Sequence, residues 1–169
     1  MLFSDILVHD KRFCKGVILD GIKKRSEFPE NELWDLSALY QDPEDFLRSI
    51  EKTLEDINLF KRNYEGKLAT LEDFTRALYE IEQIYIEMSH IDNYSFMPQT
   101  SDFSNEEFAQ IAQAGADFFT RANVALSFFD TALATADLEI LDTLEENPHF
   151  SAAIRQAKIQ KTSFYIPRS

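Results

Sequence analysis

One long heptad-patterned stretch, residues 104–134, constrains the fold of this chain more than any other part of its sequence. Its apolar and small residues recur at alternating spacings of three and four, the pattern by which helices pack along their length. They are Phe108, Ile111, Gly115, Phe118, Ala122, Ala125, Phe129 and Ala132. Ser104 and Glu107 have the spacing of a capping box, and Phe103 and Phe108 that of a hydrophobic staple. The stretch therefore predicts a helix of about 45 Å that serves as the spine of a helical bundle.

Two amphipathic helices are predicted before this spine. The first runs from Pro43, behind an Asp42 cap, to about Tyr64, and Gly66 ends it. The second begins at Thr70 and ends before Pro98. The predicted inner face of the first comprises Phe46, Ile50, Leu54, Ile57, Phe60 and Tyr64. That of the second comprises Phe74, Leu78, Ile81, Tyr85 and Met88, widened by Ile84 and Ile91.

Two shorter helices are predicted after the spine. Thr135 or Asp137 caps a short helix through Leu138, Leu141 and Leu144. Asn147 followed by Pro148 repeats the signal of a cap and a proline, so a last helix is expected to run from there to about Ile159.

The composition agrees with long helices joined by short loops, because 15 Phe stand against only 4 Gly and 5 Pro in 169 residues. We predict an all-α fold, an antiparallel bundle of long helices with a short polar N-terminal segment. Residues 1–25 carry six basic and three acidic side chains in an otherwise acidic chain. The predicted division is a peripheral basic leader at 1–24, a helical lobe at 25–161 and a loose tail at 162–169.

Charge and apolar patterning exclude several classes of protein. A net charge of −13 leaves no basic patch for nucleic acid. No apolar run has the length of a membrane span, and Asp5, His9 and Asp10 interrupt the apolar core that a signal peptide requires. The one cysteine, Cys14, forms no intrachain disulfide. We therefore expect a cytoplasmic protein that contacts neither nucleic acid nor membrane.

The sequence contains no recognisable catalytic or metal-binding motif. His9, His90 and His149 are far apart, and none belongs to an HExxH pair. Glu87 and His90 have the E-x-x-H spacing of a di-iron bundle. The second match, Glu146 with His149, contains Pro148 and is not expected to be helical. We therefore predict no catalytic residue, no cofactor-binding residue and no metal ligand in this chain. Three tyrosines could line a cleft, although aromatic residues at helical spacing more often belong to the core: Tyr79, Tyr85 and Tyr94.

Two sequence segments resemble the start of the oligoendopeptidase F family, zinc endopeptidases related to thimet oligopeptidase. The first is RSEFPENELWDLSALYQDPEDF, in which the tryptophan-aspartate-leucine element stands at Trp34, Asp35 and Leu36, followed by Tyr40. The second is NYEGKLATLEDF, which contains the turn Tyr64 to Leu68. The order of the helices that follow, and the segment LEENPHFSAAIRQ, are similar in layout, so the resemblance covers about residues 25–161.

The resemblance implies a role for these residues within a larger enzyme. In the family this region is an N-terminal helical lobe that forms one wall of an oligopeptide channel, and the zinc ligands lie far downstream in HExxH and a later glutamate. This chain contains no HExxH and is expected to be a fragment that is inactive alone, either a truncated polypeptide or an interrupted reading frame. The implied partners are a C-terminal catalytic domain and an oligopeptide. The alternative is a free-standing acidic helical interaction protein that forms homo-oligomers.

Overall fold

The computed structural model describes residues 36–101 and 105–163. These residues form a 3-10 turn, Leu36–Ala38, and five α-helices, and none of them is in a strand. The helices are α1 Pro43–Tyr64, α2 Leu71–Ser101, α3 Glu106–Thr135, α4 Leu138–Glu145 and α5 Ser151–Ser163. The predicted all-α class is confirmed. The leader at 1–24 and the segment ending at Asp35 lie outside the described residues.

The first three helices form a bundle whose directions follow from the residues that meet. Phe46 near the start of α1 stacks on Tyr94 near the end of α2, with ring centroids 4.9 Å apart. Tyr64 at the end of α1 donates a hydrogen bond of 2.7 Å to Glu80 near the start of α2. The two helices are therefore antiparallel. The ring of Phe60 lies 5.5 Å from that of Phe129 in α3, so α1 and α3 run in the same direction.

The bundle encloses one continuous hydrophobic core. Its most deeply buried large side chains come from all five helices: Phe46, Ile57, Ile91, Phe118, Leu141 and Ile154. Helices α4 and α5 are joined by Lys158, whose ammonium group donates hydrogen bonds to the carboxylates of Asp142 and Glu145. Lys161 also donates to the backbone carbonyl of Ala136 at the end of α3.

The first residues of α1 and α2 and the residue that follows α1 make the contacts that the sequence predicts for helix ends. Asp42 accepts a hydrogen bond of 2.7 Å from the backbone N–H of Asp45, as predicted for α1. Thr70 and Asp73 exchange backbone-to-side-chain hydrogen bonds and so form a capping box at the predicted start of α2. Gly66 has a φ of 72°, the left-handed conformation expected for a residue that ends a helix.

The predicted cap of α3 is wrong by one residue. Asn105, not Ser104, is the N-cap, and its side-chain oxygen accepts from the backbone N–H groups of Glu107 and Phe108. Asparagine is at least as good an N-cap as serine. The capping-box spacing alone therefore does not determine which of the two adjacent residues begins the helix. Phe103 and its predicted staple lie outside the described residues.

The second half of the predicted seam in α3 is also displaced by one residue. Its buried positions are Ile111, Gly115, Phe118, Ala122, Leu126, Phe129 and Leu133. Phe108, Ala125 and Ala132, which the heptad placed on the seam, are only partly buried. A straight helix has 3.6 residues per turn, whereas a heptad has 3.5, so the buried stripe drifts across successive turns and reaches the larger leucines.

Helix α2 is longer than predicted, and its predicted inner face is buried except at Tyr85. It continues through Pro98 to Ser101, and the proline, which forfeits one backbone hydrogen bond, is buried there. The Thr100 hydroxyl donates to the carbonyl of Met97 in this last turn. Tyr85, predicted to face inward, is 45% exposed, since Ile81, Ile84 and Met88 fill the buried stripe.

The last two helices differ from the prediction mainly at one boundary. Asp137 is the N-cap of α4, although its side chain makes no capping hydrogen bond. Helix α5 begins at Ser151, so Pro148 lies in the preceding turn and not at the first helical position. The Asn147 side chain accepts from the backbone N–H of His149, which stabilises this turn in place of a helix start.

Candidate functional site

An open groove lies beside α2, where that helix faces α3 and α5. Two adjoining cavities of about 320 and 200 Å³ form it, and both are lined by Leu78, Ile81, Tyr85 and Ala153. Ile86 and Phe150 complete one end, and Phe129, Leu133 and Ala157 complete the other. We call this surface the apolar groove. Its size and mostly apolar lining are those of a small-molecule or peptide site.

The sequence pattern of α2 explains why the groove is open. Tyr79, Tyr85 and Ile86 lie outside the buried stripe of the helix, and all three are at least two-fifths exposed. Ala153, Gln156 and Ala157 of α5 line the cavity beside Tyr85, and the two alanines are too small to fill it. The groove therefore results from large residues on α2 opposite small residues on α5.

A carboxylate stands at one end of the apolar groove. Partial burial raises the pKa of Asp130, because the apolar surroundings disfavour its charged form. Burial likewise raises the pKa of Tyr85, and the negative charge of Asp130 adds to that effect. The described residues place no cation within ion-pair distance of Asp130. This end of the groove therefore favours a ligand that brings a hydrogen-bond donor or a positive charge.

An imidazole and a second carboxylate stand at the other end. The Nε2 atom of His149 lies 2.7 Å from Oε2 of Glu82, and both side chains are partly exposed. The ring of Tyr79 stacks on His149 with a centroid separation of 5.6 Å, and Phe150 meets the same tyrosine edge-on. These contacts fix the turn between α4 and α5 against α2 and orient the imidazole at the mouth of the groove.

The two histidines weighed as metal ligands in the described residues each contact one glutamate. His90 lies in the middle of α2 and not near its end, and its Nδ1 atom is 3.9 Å from Glu87 of the same helix. His149 meets Glu82 and not Glu146. Within residues 36–101 and 105–163, no three His, Cys, Asp or Glu side chains are grouped to hold a metal ion. The described part of the chain thus does not fit zinc. His9 and Cys14 lie outside it.

The three tyrosines separate into two roles. Tyr94 belongs to the core, where it packs between Phe46 and Tyr40. Tyr85 lines the apolar groove, as the cleft alternative required. Tyr79 does not line it and packs instead on His149 and Phe150 beside it. Sequence reasoning missed Glu82 and Asp130, because each is one acidic residue among many on an exposed helix face and only the packing of α5 gives it a special environment.

Comparison with known proteins gives one distant similarity that bears on function. The chain is 23% identical over 113 residues to an oligoendopeptidase F homolog of Borreliella burgdorferi. The aligned part is 67% of this chain and 19% of that protein, so the chain spans about a fifth of the length of this relative. No protein-family profile and no solved structure matches the chain. The similarity suggests the oligoendopeptidase F family and supports no finer assignment. Separately, no helix in the described residues is long and apolar enough to cross a membrane.

Proposed function

We propose that this chain acts as the N-terminal helical lobe of a cytoplasmic oligoendopeptidase F-type zinc endopeptidase. The observation that carries the proposal is the similarity over 113 residues to the homolog of Borreliella burgdorferi. The motifs around Trp34 and Tyr64 resemble the same family. The catalytic zinc belongs to a catalytic domain whose ligands are not among the described residues of this chain.

The apolar groove is the part of the lobe that we assign to the wall of the oligopeptide channel. An extended oligopeptide presents apolar side chains and unpaired backbone donors, and the groove offers an apolar floor with carboxylates at both ends. Asp130 has no cation partner in the described residues and suits a backbone N–H or a basic side chain. The lobe contributes binding and restriction of peptide size, and it contributes no catalytic group.

The proposal is tested on the native polypeptide that carries these residues, isolated with an antibody against residues 36–163. We expect stoichiometric zinc by elemental analysis and chelator-sensitive cleavage of a fluorogenic oligopeptide. The purified 169-residue chain, assayed in parallel, is expected to contain no zinc and to cleave nothing. A native polypeptide without zinc and without cleavage would overturn the assignment to a peptidase. Chelator-sensitive cleavage by the 169-residue chain would overturn the inactive-lobe role.

A free-standing helical interaction protein is the second candidate. It is favoured by the exposed apolar side chains of α2, Tyr79, Tyr85 and Ile86, which a self-associating protein would bury against a partner helix or a second copy. Both candidates allow association of the purified chain, so sedimentation alone does not separate them. The zinc content and cleavage of the native polypeptide do.

A further inference from the structure

A second groove, different in character, lies between α1 and α2. Two adjoining cavities of about 390 and 320 Å³ form it, and they share Lys52, Thr53, Asp56 and Glu87. We call it the polar groove. Its other lining residues are Leu59, Phe60, Glu80, Gln83 and Ile84 in one cavity and Leu39, Tyr40, Asp45, Arg48 and Ser49 in the other.

The hydroxyl of Thr53 lacks a hydrogen-bond partner among the described residues, although the residue is only 3% exposed. Other helical threonines donate to a carbonyl three or four residues earlier: Thr75, Thr100, Thr120, Thr131, Thr135 and Thr143. Thr53 makes no such bond. Since the described residues contain no fully buried side-chain oxygen without a partner, its hydroxyl must reach the groove that the residue lines.

The groove also carries more negative charge than its cations neutralise. Asp56 has no cation within ion-pair distance in the described residues, and Glu87 meets only the exposed His90 at 3.9 Å. Glu80 already accepts a hydrogen bond from the hydroxyl of Tyr64. Lys52 is the one cation in the cavity that contains Glu80. A ligand for this site is therefore expected to be positively charged.

The apolar residues of the same cavity define the rest of the ligand. Leu59, Phe60 and Ile84 line it next to the carboxylates, and Leu59 is half exposed. A short alkyl chain would bury apolar area there, whereas a compact, strongly hydrated metal ion would not. The described residues contain no group suited to a metal ion, which agrees with this distinction.

We propose that the polar groove binds a primary alkylammonium group. The ammonium nitrogen has three N–H donors, which match the Thr53 hydroxyl and the carboxylates of Asp56 and Glu87. The alkyl stem lies on Leu59 and Ile84. Two sources supply this chemistry, a free aliphatic diamine or polyamine and the side chain of a lysine in a peptide. The site is distinct from the apolar groove and does not depend on the peptidase assignment.

The test is an NMR titration of the purified chain in about 150 mM salt, where nonspecific attraction to an acidic surface is screened. The probes are 1,4-diaminobutane, Nα-acetyl-lysine amide and the neutral 1,4-butanediol. We expect saturable shifts centred on the amides of Lys52 to Asp56 and Gln83 to Glu87 with at least one amine, and no saturation with the diol. Saturation with the lysine amide identifies a peptide side chain, and saturation with the diamine alone identifies a free amine. Shifts spread evenly over the acidic surface would overturn the proposal.

Matched variants locate the site. Thr53→Val keeps the shape and removes the hydroxyl, and Glu87→Gln removes an exposed charge without affecting the core. Each is expected to weaken amine binding about fivefold or more. Thr120→Val and Glu55→Gln make the same chemical changes outside the groove and are expected to change binding less than twofold. Equal effects of the groove and control variants would overturn the assignment, and Glu87→Gln decides the matter if Thr53→Val does not fold.

Discussion

At the scale of single residues, α3 approaches α2 closely at Gly115. A β-carbon built on this glycine would lie 2.5 Å from both Cβ and Oγ of Ser95 in α2. No real side chains approach so closely, so the glycine is required for the distance between the two helices. The sequence placed Gly115 on the seam, and the partner residue became known only from the structure.

Gly115→Ala is therefore expected to lower the free energy of unfolding by about 1–3 kcal/mol, as overpacking of a core does. Helix propensity alone predicts the opposite, a gain of about 1 kcal/mol for replacing glycine by alanine inside a helix. Chemical denaturation, which measures the free energy of unfolding, distinguishes the expected loss from the expected gain. Ser95→Gly in the Gly115→Ala background removes the contacting atoms and should recover part of the loss. An unchanged or increased stability of Gly115→Ala would show that the helices are farther apart than described.

Tyr64 provides a prediction on pH dependence. Burial, followed by its hydrogen bond to Glu80, raises the pKa of Tyr64 to about 12. The fold thus stabilises the neutral phenol, and this contribution is complete below the ordinary tyrosine pKa near 10 and is lost as the pH rises towards about 12.

Tyr64→Phe is expected to cost roughly 1 kcal/mol of unfolding free energy at neutral pH, the usual value of one hydrogen bond. It should also reduce the fall in stability between about pH 10 and 12. Denaturant titrations across this range measure both effects. Tyr79→Phe is the control, since its hydroxyl makes no hydrogen bond to the described residues. Identical pH profiles for the original chain and Tyr64→Phe would contradict the assignment.

At the scale of elements, the start of α3 depends on Asn105. Its side chain satisfies two backbone N–H groups, at 2.9 and 3.3 Å. Asn105→Ala should therefore cost about 1 kcal/mol of stability. Asp137→Ala at the start of α4 is the matched control, because that cap makes no side-chain hydrogen bond. Thermal unfolding measures the difference, and an equal loss in the two variants would mean that the Asn105 contacts carry no stability.

The helices also show which parts of the fold could be predicted from the sequence. Three of the five helix starts and the directions of the long helices were predictable, because caps, breakers and apolar spacing are local signals. The end of α2 was not, since whether a helix continues past Pro98 depends on packing of that residue in the core. The drift of the seam towards Leu126 and Leu133 required the true helical repeat in place of an ideal heptad.

At the scale of the whole molecule, the candidate site was the least predictable part. The groove forms where Tyr85 of α2 lies beside Ala153, Gln156 and Ala157 of α5, and no pattern within either helix specifies that pairing. The polar groove likewise depends on Thr53 of α1 meeting Glu87 of α2. The predicted absence of catalytic and metal-binding residues stays a prediction, because it concerns the whole chain.

The apolar groove gives a prediction on the proposed peptidase. Ile86→Asp introduces a charge at an exposed position of the groove and should raise KM for an oligopeptide roughly tenfold, equivalent to about 1.4 kcal/mol, with little change in kcat. Leu47→Asp is the control, because Leu47 is similarly exposed on α1 but lines neither groove. Both variants should melt at the temperature of the original protein. An equal change in KM for the two would show that the groove does not contact the peptide.

The most direct measurement is photo-crosslinking of an oligopeptide to the native polypeptide in the presence of a metal chelator. The peptide carries a photoreactive group at one end, and mass spectrometry identifies the residues that it labels. We expect labels on the groove-lining residues of α2 and α5, between Leu78 and Ile86 and around Ala153. Labels confined to residues outside 36–163 would contradict the claim that this lobe forms a wall of the oligopeptide channel.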